Sequence, residues 1–229
     1  MRYSLGPAFL DIFSRPVIVF EHIKAGNLKA WSALFILIVV TLSVFGWYFF
    51  TIDILRYVAE SSAQSGTMLT DEQLDMMRGQ QSVIRVSSTI AVAVSLLIQL
   101  AIISLYLFLV ATVASEVRVT YSQWFSLVSW GSIPTLIGVV SIAISYSLVI
   151  PGYADLLSLN QTSLNSFYFN LDSNSSGYTL ANFVSFGGAW SWVIYALGYS
   201  HLSHSKDSAG FIVIGIPLLI LFAVIYWFF

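Results

Sequence analysis

Residues 31–50 read WSALFILIVVTLSVFGWYFF, a run without one Asp, Glu, Lys or Arg. At about 1.5 Å of rise per residue, a helix of this length crosses a hydrocarbon core of roughly 30 Å. A helix is demanded because backbone N–H and C=O groups facing lipid have no water to bond. Cleavable signal cores are shorter, about 7–15 residues, so this run is expected to persist as a span. The stretch in front of it, Phe9–Phe20, is broken by Arg15 and Pro16 and does not read as a leader.

Four further charge-free stretches follow: Val86–Ser115, Val119–Ala154, Ser173–Ser205 and Ser208–Phe229. They place spans at 90–114, 126–150, 180–200 and 211–227, after the first at 31–50. None shows the strict alternation over about 10 residues that a barrel strand requires. The expected fold is an all-α integral membrane protein. Residues 31–229 form a bundle of five transmembrane helices, and residues 1–30 form a cytosolic segment carrying an N-terminal interfacial helix. Composition agrees: of 229 residues, 58% are hydrophobic and 9% charged, with a mean hydropathy of +0.84. Soluble domains carry about 25% charged residues. The net charge of −2 gives no basic field for nucleic acid. The absence of cysteine removes disulfides, thiol catalysis and iron–sulfur clusters. Trp31, Trp47, Tyr48, Tyr121, Trp124, Tyr153, Tyr178, Tyr226 and Trp227 stand near span ends, as interfacial belts would.

Lys and Arg in the connections set the orientation. The N-terminal segment, the second connection and the fourth hold Arg2, Arg15, Lys24, Lys29, Arg118 and Lys206, against Arg56, Arg78 and Arg85 on the other side. The positive-inside rule then predicts a cytosolic N-terminus and an outer C-terminus. In the first connection, Thr70-Asp71-Glu72-Gln73 is a capping-box pattern that predicts a short outer helix feeding the second span, with an interruption at Gly79. Residues 151–179 open with Pro151-Gly152, are rich in Asn and Ser, and read as an exposed loop with glycosylation sequons at Asn160 and Asn174. In residues 8–26, Ser14 is a candidate cap for a helix with Pro16 in its first turn. Pro16, Val17, Phe20 and Ile23 are its candidate partner or membrane-surface face. An ordinary segment packed on the bundle is the alternative.

Three features together resemble the Yip family, membrane proteins named for interaction with Ypt/Rab GTPases, and within it the short bacterial branch. They are Ser14-Arg15-Pro16…Phe20…Ile23 before the first span, five spans with ends on opposite sides, and Tyr121-Ser122-Gln123-Trp124-Phe125…Ser132-Ile133-Pro134 entering the third. Against the eukaryotic members, the long N-terminal domain and the Asp-Leu-Tyr-Gly-Pro motif are missing; the comparable stretch reads Asn27-Leu28-Lys29-Ala30-Trp31. The resemblance therefore implies a fold and a membrane location, with a role in membrane organisation or partner recruitment, but not Rab binding.

Candidate functional positions are few. Pro134 and Pro217 lie inside spans and free the carbonyls of Trp130 and Val213. Such a bend builds a site in some transporters and is plain structure in many other helices. Their paired positions hint at a weak repeat of spans two–three and four–five. Ser88, Ser95, Gln99 and Tyr106 share one face of span two, as helix–helix glue or as a polar path. Gly138, Ser141 and Ser145 in span three, and Gly187, Gly188 and Ser191 in span four, allow close packing within the bundle or between copies. His201 and His204, with Asp207 near, offer only two imidazoles to a metal. No Asp, Glu, Lys or Arg lies deep in a span, which weighs against ion-coupled transport. No nucleophile elbow, phosphate loop or zinc motif is present. The expectation is a non-enzymatic protein with no catalytic residues, cofactor or bound metal, whose partners are the bilayer, other membrane proteins or itself. A small oligomeric transporter or channel is the alternative. An intramembrane enzyme using the histidine pair is the weakest reading.

Overall fold

The computed structural model describes residues 4–64, 68–149, 156–172, 175 and 177–228. Helix α1 (Leu5–Ser14) and helix α2 (Pro16–Lys24) meet at Arg15. Pro16 occupies the first turn of α2, where its missing N–H costs nothing. The expected cap at Ser14 is corrected. Its hydroxyl donates back to the Leu10 carbonyl at 3.2 Å and so closes α1 instead. Arg15 pairs with the buried Asp11 at 2.8 Å. The apolar face of α2 is turned into the bundle: Val19, Phe20 and Ile23 are buried, while of the expected face Pro16 is half-buried and Val17 exposed. With that face α2 packs against α7 and α10, described below.

Helix α3 (Ala30–Thr51) realises the first run. Beyond it come α4 (Ile54–Gln64) and α5 (Asp71–Arg78). The capping box forms as read: the Thr70 N–H donates to Gln73 Oε1 at 2.9 Å, and the Gln73 N–H donates to Thr70 Oγ1 at 3.3 Å. The chain breaks at Gly79–Gln80, and α6 (Gln81–Ala114) then runs for 34 residues, starting earlier than the 90–114 span predicted. The third span is α7 (Tyr121–Gly131), a 3-10 turn at Ile133–Thr135, and α8 (Leu136–Leu148).

The fourth predicted span, 180–200, is divided. A short α9 (Tyr178–Phe183) stops at Val184, where the backbone becomes extended, and α10 (Phe186–Ser203) begins after Ser185. The expected loop is exposed at Phe167–Asn170 over its described part, but its start is tied to the bundle. The Leu164 N–H donates to the Val184 carbonyl at 2.7 Å, and the Phe186 N–H to the Thr162 carbonyl at 2.9 Å. The Gln161 N–H reaches Ser141 Oγ on α8 at 3.1 Å. Ser163 is fully buried and donates to Asn182 Oδ1 at 3.1 Å. Asn160 lies half-buried, its amide oxygen accepting from the Thr162 hydroxyl, and a Cβ on Gly138 would sit 3.4 Å from it. Pro151, Gly152, Tyr153 and Asn174 lie outside the described residues. Helix α11 (Asp207–Phe228) completes the chain.

Among the described residues, four elements are long and apolar enough to cross a bilayer: α3, α6, α7–α8 and α11. The fifth predicted crossing rests on α10, whose 18 residues extend about 27 Å. It is rich in Gly, Ser and Tyr and packs against α2, α6, α7, α8 and α11. The buried core runs through Phe20, Leu37, Leu107, Trp124, Trp130 and Ile133. A second cluster, where α3 meets α4, joins Tyr48, Phe49, Ile54 and Tyr146. Thr51 Oγ1 lies 2.7 Å from the Tyr146 hydroxyl. The expected aromatic belt therefore splits. Trp31 and Trp227 are 78% and 83% exposed, whereas Tyr48 and Trp124 are core residues.

Candidate functional site

The two chain breaks meet. Pro134 has no N–H to donate, so the helix tightens into the 3-10 turn and its polar groups find other partners. Ser132 Oγ donates to the Val128 carbonyl at 2.8 Å and lies 2.6 Å from the Tyr195 hydroxyl on α10. Thr135 Oγ1 donates to the Ser132 carbonyl at 2.7 Å. Against this turn rests the first turn of α10. A Cβ on Gly187 would collide with the Pro134 carbonyl oxygen and come within 3.2 Å of Thr135 Cα. Gly131 faces the Tyr195 ring, which a Cβ would meet at 2.7 Å, and Gly198 faces Leu127. A broken-helix ligand site leaves freed backbone groups facing a cavity. Here the backbone of α10 fills the joint.

Pro217 behaves differently. It sits inside a continuous α11, and the carbonyl it frees, Val213, accepts from the Tyr106 hydroxyl of α6 at 2.7 Å. The hinted likeness of the two proline-bearing spans is not matched in geometry: one proline breaks its helix, the other does not. Gly210 brings the base of α11 against the Ala196 carbonyl and Ser200 of α10.

The polar face of α6 is divided by its surroundings. Tyr106 is the one member that bonds to another helix. Gln99 and Ser95 are exposed on the flank of the bundle, and Ser88 is half-buried. Gln99, Ser95 and Ser88 have no hydrogen-bond partner among the described residues. They line a groove of about 500 Å³ between α3 and α6, with Thr41 and Phe45 opposite. A larger groove of about 670 Å³ opens between α1, α3 and α8, lined by Phe9, Ile36, Leu136, Val140 and Ile144.

At the end of the bundle away from α4 and α5, α2 is latched to the end of α10. Lys24 Nζ lies 2.5 Å from His204 Nε2, and Glu21 Oε1 lies 3.5 Å from His201 Nε2. The Lys24 ammonium is donor only, so the His204 nitrogen facing it accepts. Each imidazole thus faces its own partner on α2. Among the described residues no group of three or more His, Asp or Glu converges as a metal site would. Burial pushes the His201 pKa below its ordinary value; Glu21 opposes this shift, while Lys24 and His204 reinforce it. Gln123 Nε2 adds a bond to the Lys24 carbonyl at 3.0 Å. Sequence reasoning flagged Gly187 and both histidines but missed Tyr195 and the glycines at 131, 198 and 210. A small residue reveals its close approach only once the facing helix is known.

No curated protein and no solved structure matches the chain. The Yip1 domain model matches residues 10–228, from within α1 to the end of α11. Nearly the whole helical bundle lies inside that match, and the chain belongs to the Yip1 domain family.

Proposed function

We propose that this Yip-type membrane protein acts without catalysing a reaction, in membrane organisation or in the recruitment of partners. In this reading α10 is the fifth crossing, the N-terminus is cytosolic, the C-terminus is outside, and the membrane is a cell inner membrane. The observation that carries it is the filled joint at mid-bundle. Gly187 lies against the Pro134 carbonyl where a conduit would need open space, while the concave surfaces described above open sideways, between helices. A bundle closed along its axis and grooved along its flank suits contact with lipids and other membrane proteins.

The experiment is photo-crosslinking from the two lateral grooves in native membranes, beside a flux assay in proteoliposomes. Discrete crosslinked partners with no solute or ion flux support the proposal. Solute flux abolished by filling the joint would overturn it in favour of a transporter. That second reading is favoured by one observation only, the meeting of two broken segments, 132–135 and 184–185, at one level of the bundle.

A further inference from the structure

Gln99 stands close to the midpoint of the 34-residue α6. It is exposed, lacks a hydrogen-bond partner among the described residues, and shares its groove with the unbonded hydroxyls of Ser88 and Ser95. In a soluble protein an exposed glutamine needs no explanation, because water bonds it. At the middle of a spanning helix its neighbours are lipid chains, which offer neither donor nor acceptor. A primary amide there seeks a partner that carries both. On either side, Ile98 and Ile102 are 53% and 61% exposed and supply apolar contact area.

We propose that a second copy of this chain covers this face, with α6 packed on α6 and the Gln99 amides paired across a two-fold axis along the membrane normal. Symmetry selects the occupant. Two copies inserted in the same direction hold Gln99 at the same depth, so a two-fold rotation about the normal sets amide opposite amide. A primary amide is self-complementary, since its N–H2 donates and its oxygen accepts. Ser95, one turn away on the same face, then also lies opposite its own copy. Its small side chain, with that of Ala91, permits the close approach that two reciprocal hydrogen bonds require. A foreign helix would need an amide at this depth and facing this way; the second copy has one by identity. Pairing does not depend on the recruitment reading above, since a monomer could also recruit partners.

The chain has no cysteine, so single cysteines can be placed without altering the background. Ser95→Cys and Ile98→Cys are to be oxidised in native membranes, with Leu219→Cys, on the 69% exposed side chain of α11, as the control. A disulfide needs Cβ atoms about 3.5–4.5 Å apart, so it reports the contact itself. The expected result is a band at twice the monomer mass for at least one α6 position and none for the control. Adding Gln99→Leu should lower that band about 3- to 10-fold while membrane yield stays unchanged, and Gln99→Asn should recover part of it. Three results would each overturn the proposal: monomer alone at both α6 positions, a crosslinked product of another mass, or a dimer band indifferent to Gln99→Leu. Flux or partner capture by a strictly monomeric protein would leave the recruitment question standing and still end this one.

Discussion

The Tyr106 hydroxyl donates to the Val213 carbonyl at 2.7 Å. That carbonyl lies four residues before Pro217, whose ring nitrogen has no hydrogen to give it. A lipid-facing helix thus keeps its proline because a neighbour supplies the missing donor. Tyr106→Phe is expected to destabilise the bundle by about 0.6–1.7 kcal/mol, the range for hydrogen bonds between membrane helices. Pro217→Ala restores an N–H to Val213, so Tyr106→Phe should cost less in that background. Thermal unfolding in detergent of the two single variants and the double variant measures the coupling.

Gly187 provides the sharpest packing test. Its missing side chain faces main-chain atoms of Pro134 and Thr135, which cannot rotate away. Gly187→Ala should therefore cost about 1–3 kcal/mol, the usual range for overpacking. Gly215→Ala, in α11 with nothing within 4 Å of the new methyl, should be neutral or stabilise by up to about 1 kcal/mol. Melting temperatures of the pair decide it, and equal losses would mean that α10 does not rest on the break.

The His201 latch predicts a pH dependence of known sign. Burial holds its folded pKa below the unfolded value of 6.5. Above that value the ring is neutral in both states and contributes no pH dependence. As pH falls below 6.5 the unfolded chain takes up the proton first, and stability declines until the lower folded pKa is passed. Glu21 at 3.5 Å reduces the decline without reversing it. His201→Gln should flatten the loss of melting temperature between pH 7 and pH 5. Glu21→Gln should steepen it.

The capping box at Thr70 is local and exposed, so its loss should be felt locally. Thr70→Ala removes the oxygen that accepts from the Gln73 N–H and should weaken the start of α5 by about 1 kcal/mol. Amide exchange over residues 71–74 should speed up about fivefold, while exchange in the core of α10 stays unchanged.

What was legible in the sequence came from rules that act within one segment. A charge-free run must be a helix in lipid, which located α3, α6, α7–α8 and α11 to within a few residues at most ends. Thr70 with Gln73, and Pro16 at a helix start, are likewise decided by neighbours in sequence. The freed carbonyl at Val213 followed from Pro217 alone, whereas its donor, Tyr106, did not.

The tertiary structure decided everything that depends on what faces a side chain. The 180–200 run divides at Val184 because residues 162–164 offer that stretch extended partners, and nothing in the run itself announces them. Phe20 and Ile23 looked like a lipid-facing or partner-facing surface, yet they fill the core, because an apolar stripe is equally content against lipid or protein. Gln99 read as glue between helices or as part of a polar path, and within one copy it is exposed, since hydropathy fixes depth but not the direction in which a helix turns its face. Sequence by itself determined which segments enter the membrane, a matter of transfer free energy summed along the chain. Rotation and packing of those segments, and with them every candidate site, were decided by contacts between residues far apart in sequence.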